Sequence, residues 1–338
     1  MSSSDRRASG AAVPLSRRTC RAAPAGVAAA AVVAGRAPLA AAADAAPEVR
    51  RLTPPRLEAA NLGERILCHR PMRRGSPRLA VETIGEQVVA HDYGHGGSGW
   101  TLGPGSAAYV VDLVAADPAG SAIAQDAPVA VIGAGAIGLF TAYELVKRGY
   151  TDVTVIAEAF TGLTSHNAAR LHAPDSMDND PAFQPVIDRI GVEAYRFFAA
   201  IAYGTHPDFP AGAAIVPSYF QTREESGLEP YVGVVMAPAK DVVLDFGNGT
   251  TRSMVVYDDG IFIDTALMME ELTDFLTPHV TFEERRVTAF ADVPAALVFD
   301  CTGLGAAELD ADPEMVSVQG HLVMLRDQVV ADVTPMIL

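Results

Sequence analysis

Cysteine is scarce in this chain of 338 residues: Cys20, Cys68 and Cys301 are the whole set. An odd number with no C-x-x-C spacing argues against a disulfide framework and against a structural zinc site. Cys68 and Cys301 therefore read as small buried hydrophobes in apolar strands. Positive charge is also short, with 25 basic against 41 acidic residues and a formal charge of −16. A surface this negative repels phosphate backbones and anionic membranes, so neither is an expected partner. Long apolar runs are missing as well. The alanine-rich stretch from Ala22 to Ala46 is only weakly apolar and is interrupted by Pro24, Arg36 and Pro38, which makes a poor membrane span.

What is present is ample apolar material, 49% of all residues, enough for a core and for about two domains. Residues 1–46 read as a leader. Arg17-Arg18 precedes the alanine-rich stretch, and Ala-x-Ala options follow near Ala40 to Ala46, the pattern of a twin-arginine export signal. A disordered leader with no targeting role is the alternative. Export is expected if the signal functions, and a cytoplasmic location otherwise.

Beyond the leader, Arg50 to Ala60 predicts a short amphipathic helix. Ile66 to Cys68, Leu79 to Glu82 and Glu86 to Ala90 predict strands, and a helical period runs from Thr101 to Ala116. Residues 117–128 are small, polar and proline-bounded, which is linker chemistry. A strand at Val129 to Ile132, a helix at Ala136 to Arg148 and a strand at Val153 to Ile156 then predict one βαβ unit. Later stretches predict β structure at Val232 to Met236 and Ser253 to Tyr257, a helix at Asp264 to Leu276, and a buried strand at Val298 to Gly303. Asn248-Gly249-Thr250 reads as a hairpin turn rather than a glycosylation site.

Within the βαβ unit, Gly133-Ala134-Gly135-Ala136-Ile137-Gly138 matches G-x-G-x-x-G between an apolar strand and a helix. The next strand ends at Glu158, about 20 residues on, the separation of a ribose-binding acid. Gly133 permits the tight turn, Gly135 lets a pyrophosphate approach the backbone, and Gly138 allows close helix–strand packing. The helix N-terminus offers free N–H groups and partial positive charge to phosphate. Glu158 would repel a 2′-phosphate. The pattern alone leaves FAD and NAD both open.

The stretch Val88-Val89-Ala90-His91-Asp92-Tyr93-Gly94-His95-Gly96-Gly97-Ser98-Gly99-Trp100-Thr101 through Gly105-Ser106-Ala107 closely resembles the signature of the D-amino-acid oxidase family. Two more stretches resemble family regions: His69-Arg70-Pro71 with Arg74 and Arg78, and Asp300-Cys301-Thr302-Gly303-Leu304-Gly305 through Val318 to Val323. The resemblance implies an α/β fold, with an FAD-binding Rossmann-like domain and a mixed-sheet substrate domain. It implies FAD as cofactor, a D-amino acid and molecular oxygen as reactants, and 2-oxo acid, ammonia and hydrogen peroxide as products. A homodimer is left open.

By the same resemblance, Ala134, Ala136 and Ile137 lie near the pyrophosphate, and Glu158 holds the adenosine ribose. Thr164 and Ser165 bind phosphate oxygens, while Val287 and Thr302 lie beside the cofactor. Gly96, Gly99, Trp100 and Thr101 face the flavin ring. Arg70 holds the substrate carboxylate and the Gly97 carbonyl accepts from its amine. His91 and His95 are not expected to bind metal, being ringed by glycines without a third ligand. Arg73, Arg74 and Arg78 are expected to form a solvated basic face.

The segments expected are 47–116 (substrate arginine and glycine loop), 117–128 (linker), 129–175 (FAD-binding βαβ) and 176–338, with a second FAD-binding stretch at about 282–310. Three departures from the family are visible. Residues 66–116 precede the βαβ unit instead of following it, the pattern of a circular permutation. The family's active-site tyrosine segment has no counterpart after Pro335 to Leu338. Arg170 stands where the family usually has glycine. A related amine or glycine oxidase, a catalytically impaired flavin-binding protein and a nicotinamide-dependent dehydrogenase are the alternatives.

Overall fold

A computed structural model describes residues 47–174, 177–328 and 336–337. The leader lies outside the described residues, as do the side chain of Arg170 and most of the stretch after residue 328. In chain order the strands are β1 (Glu48–Arg51), β2 (Leu62–Arg73), β3 (Arg78–Ile84), β4 (Gln87–Tyr93), β5 (Val129–Ile132), β6 (Val153–Ala157), β7 (Ala169–Leu171), β8 (Ala213–Ile215), β9 (Ser218–Phe220), β10 (Lys240–Asp245), β11 (Thr251–Tyr257), β12 (Ile261–Asp264), β13 (Thr281–Glu284), β14 (Leu297–Asp300), β15 (Met315–Leu325) and β16 (Met336–Ile337). The helices are α1 (Gly99–Ala116), α2 (Ala136–Lys147), α3 (Gln184–Ala202), α4 (Thr265–Leu276) and α5 (Ala306–Leu309).

The centre is a six-stranded sheet of order β13-β6-β5-β14-β4-β3. Its first five strands run parallel and β3 closes one edge antiparallel. Parallel strands are covered on both faces, which is why β5 (Val-Ala-Val-Ile) and β14 (Leu-Val-Phe-Asp) are buried throughout. Alternate residues go to opposite faces. Val88, Val129, Val131, Val155 and Phe299 join the large core beneath α1, α2 and α3. Val89, Ala130, Ile132, Ile156 and Val298 meet Phe290 and Val293 on the other face. The expected α/β fold is therefore present. The strands flanking β14 come from both sides of the linker, β5 from residues 129–132 and β4 from residues 87–93.

Three smaller sheets complete the chain: β1-β10-β11-β9-β16, β7-β12-β8 and the long pair β15-β2. The linker is a chain of turns, started where Asp117 Oδ1 accepts from the Ala119 and Gly120 N–H groups, each at 2.9 Å. It is secured to the βαβ unit by Gln125, whose side-chain amide donates to the Arg148 carbonyl at 2.7 Å. Helix α4 begins one residue later than the sequence suggests, because Asp264 caps it, its carboxylate accepting from the Leu267 N–H at 3.1 Å. The turn at Asn248-Gly249 joins β10 to β11, with Gly249 at φ +84°.

Two sequence expectations fail. Residues 50–60 form no α-helix: Glu48–Arg51 is a strand parallel to β10, followed by extended chain. Pro54 and Pro55 cannot continue a helix, whereas the edge of β10 accepts the backbone, as in Leu52 N–H to the Asp245 carbonyl at 2.9 Å. Val232 to Met236 is a tight turn closed by a single bridge between its ends, with Gly233 at φ +77°. Its apolar residues seal a chain reversal instead of forming a ladder.

Candidate functional site

The turn between β5 and α2 is built on contacts that only glycine permits. Gly133 has φ +113°, and a Cβ there would sit 2.4 Å from the Cys301 carbonyl oxygen. A Cβ on Gly138 would lie 1.9 Å from the Gly133 carbonyl oxygen, so α2 starts directly against the strand end. Gly135 is extended, and the nearest atom to its missing Cβ is Ser165 Oγ at 3.3 Å. The Ala136 N–H, at the first turn of α2, donates to that hydroxyl at 2.9 Å.

The second glycine segment closes from the opposite side. Gly94 has φ +91° and packs against Arg73, and its carbonyl accepts from the Arg73 N–H at 3.1 Å. Residues Gly94 to Ser98 are fully buried, so this is a packed loop and not a flexible tip. Trp100 stacks edge-on to Phe140 of α2 and donates its indole N–H to the Ser165 carbonyl at 3.0 Å. One residue thereby ties the glycine loop to the 164–167 turn and to the dinucleotide helix.

Both segments open on one cavity of about 510 Å³, within the usual size of a ligand site. Of the residues nominated from sequence, Arg70, Gly96, Gly97, Gly99, Trp100, Gly133, Ala134, Gly135, Ala136, Ile137, Glu158, Thr164, Ser165, Val287 and Thr302 all line it. Gly138 does not, because it faces the turn. Thr101 does not, because its hydroxyl turns to the Ala173 carbonyl at 3.2 Å.

Glu158 follows β6 with its carboxylate exposed and no ion pair among the described residues. Thr302 is held by Asp300, whose Oδ1 accepts from its hydroxyl at 2.7 Å. Arg70 is half-buried, and its guanidinium lies over Gly320 on the paired strand β15, where a Cβ would come within 3.2 Å of Nε. At the cavity edge Arg286 pairs with Glu308 at 2.5 Å.

The cradle fits an extended dinucleotide. A Cβ at Gly99 would project into open space, with no heavy atom within 4 Å, whereas one at Gly135 would press on Ser165 Oγ at 3.3 Å. The N-terminus of α2 presents its first-turn N–H groups to the cavity, and Glu158 supplies an acceptor for ribose hydroxyls.

Sequence reasoning missed several lining groups. Cys68 and Cys301 are buried as expected, yet both also line the cavity. Asp92 and His95 do so too. Both side chains are entirely buried; desolvation raises the Asp92 carboxyl to about 7 and lowers the His95 imidazole to about 4. Their place inside the glycine signature was the available signal.

The basic cluster also departs from expectation. Arg74 is exposed, but Arg73 pairs with Asp312 at 2.8 Å, and Arg78 pairs with Asp310 and with Glu82. Tyr93 donates to the same acids, at 2.7 Å to Asp310 and 2.9 Å to Asp312, and burial pushes its hydroxyl pKa up. These arginines are recruited because the 310–312 segment brings acidic residues that are distant in sequence. His91 is hydrogen-bonded rather than open, at 2.9 Å from Glu82 and 3.3 Å from Asp300.

A family model described as DAO, FAD dependent oxidoreductase, matches residues 128–336. A D-amino-acid oxidase of Streptomyces coelicolor is 29% identical over 208 residues, 60% of this chain and 60% of that protein. A D-amino-acid oxidase of Dictyostelium discoideum is 24% identical over 223 residues, 58% of this chain and 56% of that protein. The chain thus spans about 60% of the length of the curated relatives it matches. Among solved structures, glycine oxidase from Geobacillus kaustophilus aligns with a TM-score of 0.42 at 17% identity, covering 56% of this chain and 58% of that one.

Proposed function

The chain belongs to the DAO family of FAD dependent oxidoreductases, and on that premise we propose that it oxidatively deaminates D-amino acids. Its cofactor is FAD. The overall change is D-amino acid, oxygen and water to 2-oxo acid, ammonia and hydrogen peroxide. When bound, FAD supplies the two-electron acceptor for the substrate α-carbon hydrogen and passes the electrons to oxygen.

The chain's own residues bind and orient. Glu158 accepts from the ribose hydroxyls, and Ser165 with the N-terminus of α2 receives the phosphates. The loop from Gly96 to Trp100 walls the ring. Arg70 takes the substrate carboxylate as a two-pronged donor, and the Gly97 carbonyl accepts from its amine. No side-chain general base is assigned; the chain's own contribution is to position the substrate.

The observation that carries the reading is the meeting of the 94–101 and 133–138 glycine segments on one cavity that also holds Arg70. The test starts with purified protein. Flavin absorption released on denaturation is expected, followed by peroxide formation with D-alanine and none with L-alanine. Peroxide from glycine or a secondary amine in place of D-alanine would move the reading to a related amine oxidase. Bound flavin without turnover of any of these would make it a flavin-binding protein. Arg70→Lys is expected to raise KM for D-alanine about tenfold or more, because the second hydrogen bond to the carboxylate is lost.

A further inference from the structure

Asp92 is the last-but-one residue of β4, 0% exposed, and it reaches the glycine loop through a short chain of polar groups. Ser106 Oγ on α1 donates to Asp92 Oδ1 at 2.6 Å, and the same Oγ lies 2.9 Å from His95 Nε2. His95 Nε2 is also 3.5 Å from Asp92 Oδ1. Thr141 on α2 approaches the other carboxylate oxygen at 3.5 Å, but its hydroxyl is already committed to the Ile137 carbonyl at 2.9 Å. It also lies 3.6 Å from Cys301 Sγ. Every part of this chain is buried, and Asp92, His95 and Cys301 line the cavity.

Among the described residues the carboxylate therefore has one strong donor and no paired lysine or arginine. The other titratable groups around it are His95, Cys301 and Asp300, and the charge of Asp300 disfavours ionisation further. Burial, only partly offset by the hydrogen bonds from Ser106 and Thr141, places the Asp92 transition near neutrality, at about 7. His95, lowered to about 4 by burial, stays neutral through the same range.

We propose that Asp92 is a positioning residue for the flavin-facing loop, its protonation setting the direction of the Asp92–Ser106–His95 hydrogen-bond chain and through it the set of the Gly94–Trp100 wall. With Asp92 ionised, Ser106 donates to it and accepts from His95 Nε2–H. With Asp92 protonated, the carboxyl can donate to Ser106, which then donates to His95 Nε2, the neutral imidazole now carrying its own proton on Nδ1. One proton thus exchanges the donor and acceptor roles of the imidazole that anchors the loop, with no net charge placed on the histidine. The proposal rests on the cavity being the FAD site.

The FAD dissociation constant, followed by flavin fluorescence from pH 5.5 to 8.5 in wild type, Asp92→Asn and Ser106→Ala, tests it. The FAD-loaded protein is to be scanned for absorption changes over the same range. Wild type is expected to show a one-proton transition, with affinity changing about fivefold or more across it, accompanied by a shift of the flavin band. Asp92→Asn is expected to be flat, since a carboxamide can donate or accept at any pH. Ser106→Ala leaves Asp92 free to titrate but uncouples His95, so its transition shrinks, and this variant decides if Asp92→Asn fails to fold. A flat wild-type profile, or an unchanged transition in the variants, overturns the proposal. Failure of the wild type to bind FAD at any pH overturns the reading of the cavity and this proposal with it, which distinguishes the two failures.

Discussion

Replacing Gly99 by alanine separates the stability of the fold from the shape of the cofactor cradle. Gly99 is the first residue of α1 and already has helical backbone angles, φ −55° and ψ −41°. Alanine there demands no strained conformation, and in a helix it is favoured over glycine by up to about 1 kcal/mol. Its Cβ meets no protein atom within 4 Å, because it projects into the cavity. The unliganded protein should therefore melt at the same temperature or slightly higher. Bound FAD, in contrast, would meet the added methyl. Overpacking of this size costs about 1–3 kcal/mol, so FAD affinity should fall roughly 5- to 150-fold. Thermal melts of the flavin-free protein and a fluorescence titration with FAD read the two effects separately. Unchanged FAD affinity, or a loss of stability without the cofactor, would refute the placement of this helix start against the flavin.

Gly133→Ala should act in the opposite way. It brings a Cβ within 2.4 Å of the Cys301 carbonyl at φ +113°, so soluble yield and melting temperature should both drop before any ligand is added. Glu158→Ala should weaken FAD binding about tenfold or more by removing a charged acceptor, with the protein's melting temperature unchanged because the side chain is exposed. His172 is 1% exposed, without a charged partner among the described residues and walled in by Tyr195, Phe198 and Tyr231. Burial lowers its pKa from 6.5 to about 4. The folded state then binds fewer protons than the unfolded chain between those values, so stability is complete above about 6.5 and is lost as pH falls toward 4. The loss attributable to this residue is roughly 3 kcal/mol. Urea midpoints at pH 7 and pH 4.5 should differ less in His172→Phe than in wild type. An equal difference would show that the histidine is not held neutral.

The order in which these features became visible follows the range of the interactions that make them. The βαβ unit could be read directly: Val129 to Ile132, the glycine spacing, the helical period to Arg148 and the acid at Glu158 all fall within about thirty residues, and each obeys a local rule of period, turn or cap. The helical period from Thr101 to Ala116 was legible for the same reason, as was the helix at Asp264 to Leu276. Tertiary structure alone decided the rest. Arg73 and Arg78 look like a solvated basic run until Asp310 and Asp312, more than 230 residues later, are folded against them. Glu48–Arg51 becomes a strand because β10, nearly 200 residues on, offers an edge. Asp92, His95 and Ser106 fall within or beside the glycine signature, yet the chemistry of their hydrogen-bond chain arises from burial, which the sequence does not show. A residue's identity sets which bonds it can make. Whether water competes for those bonds is settled only when distant segments close around it.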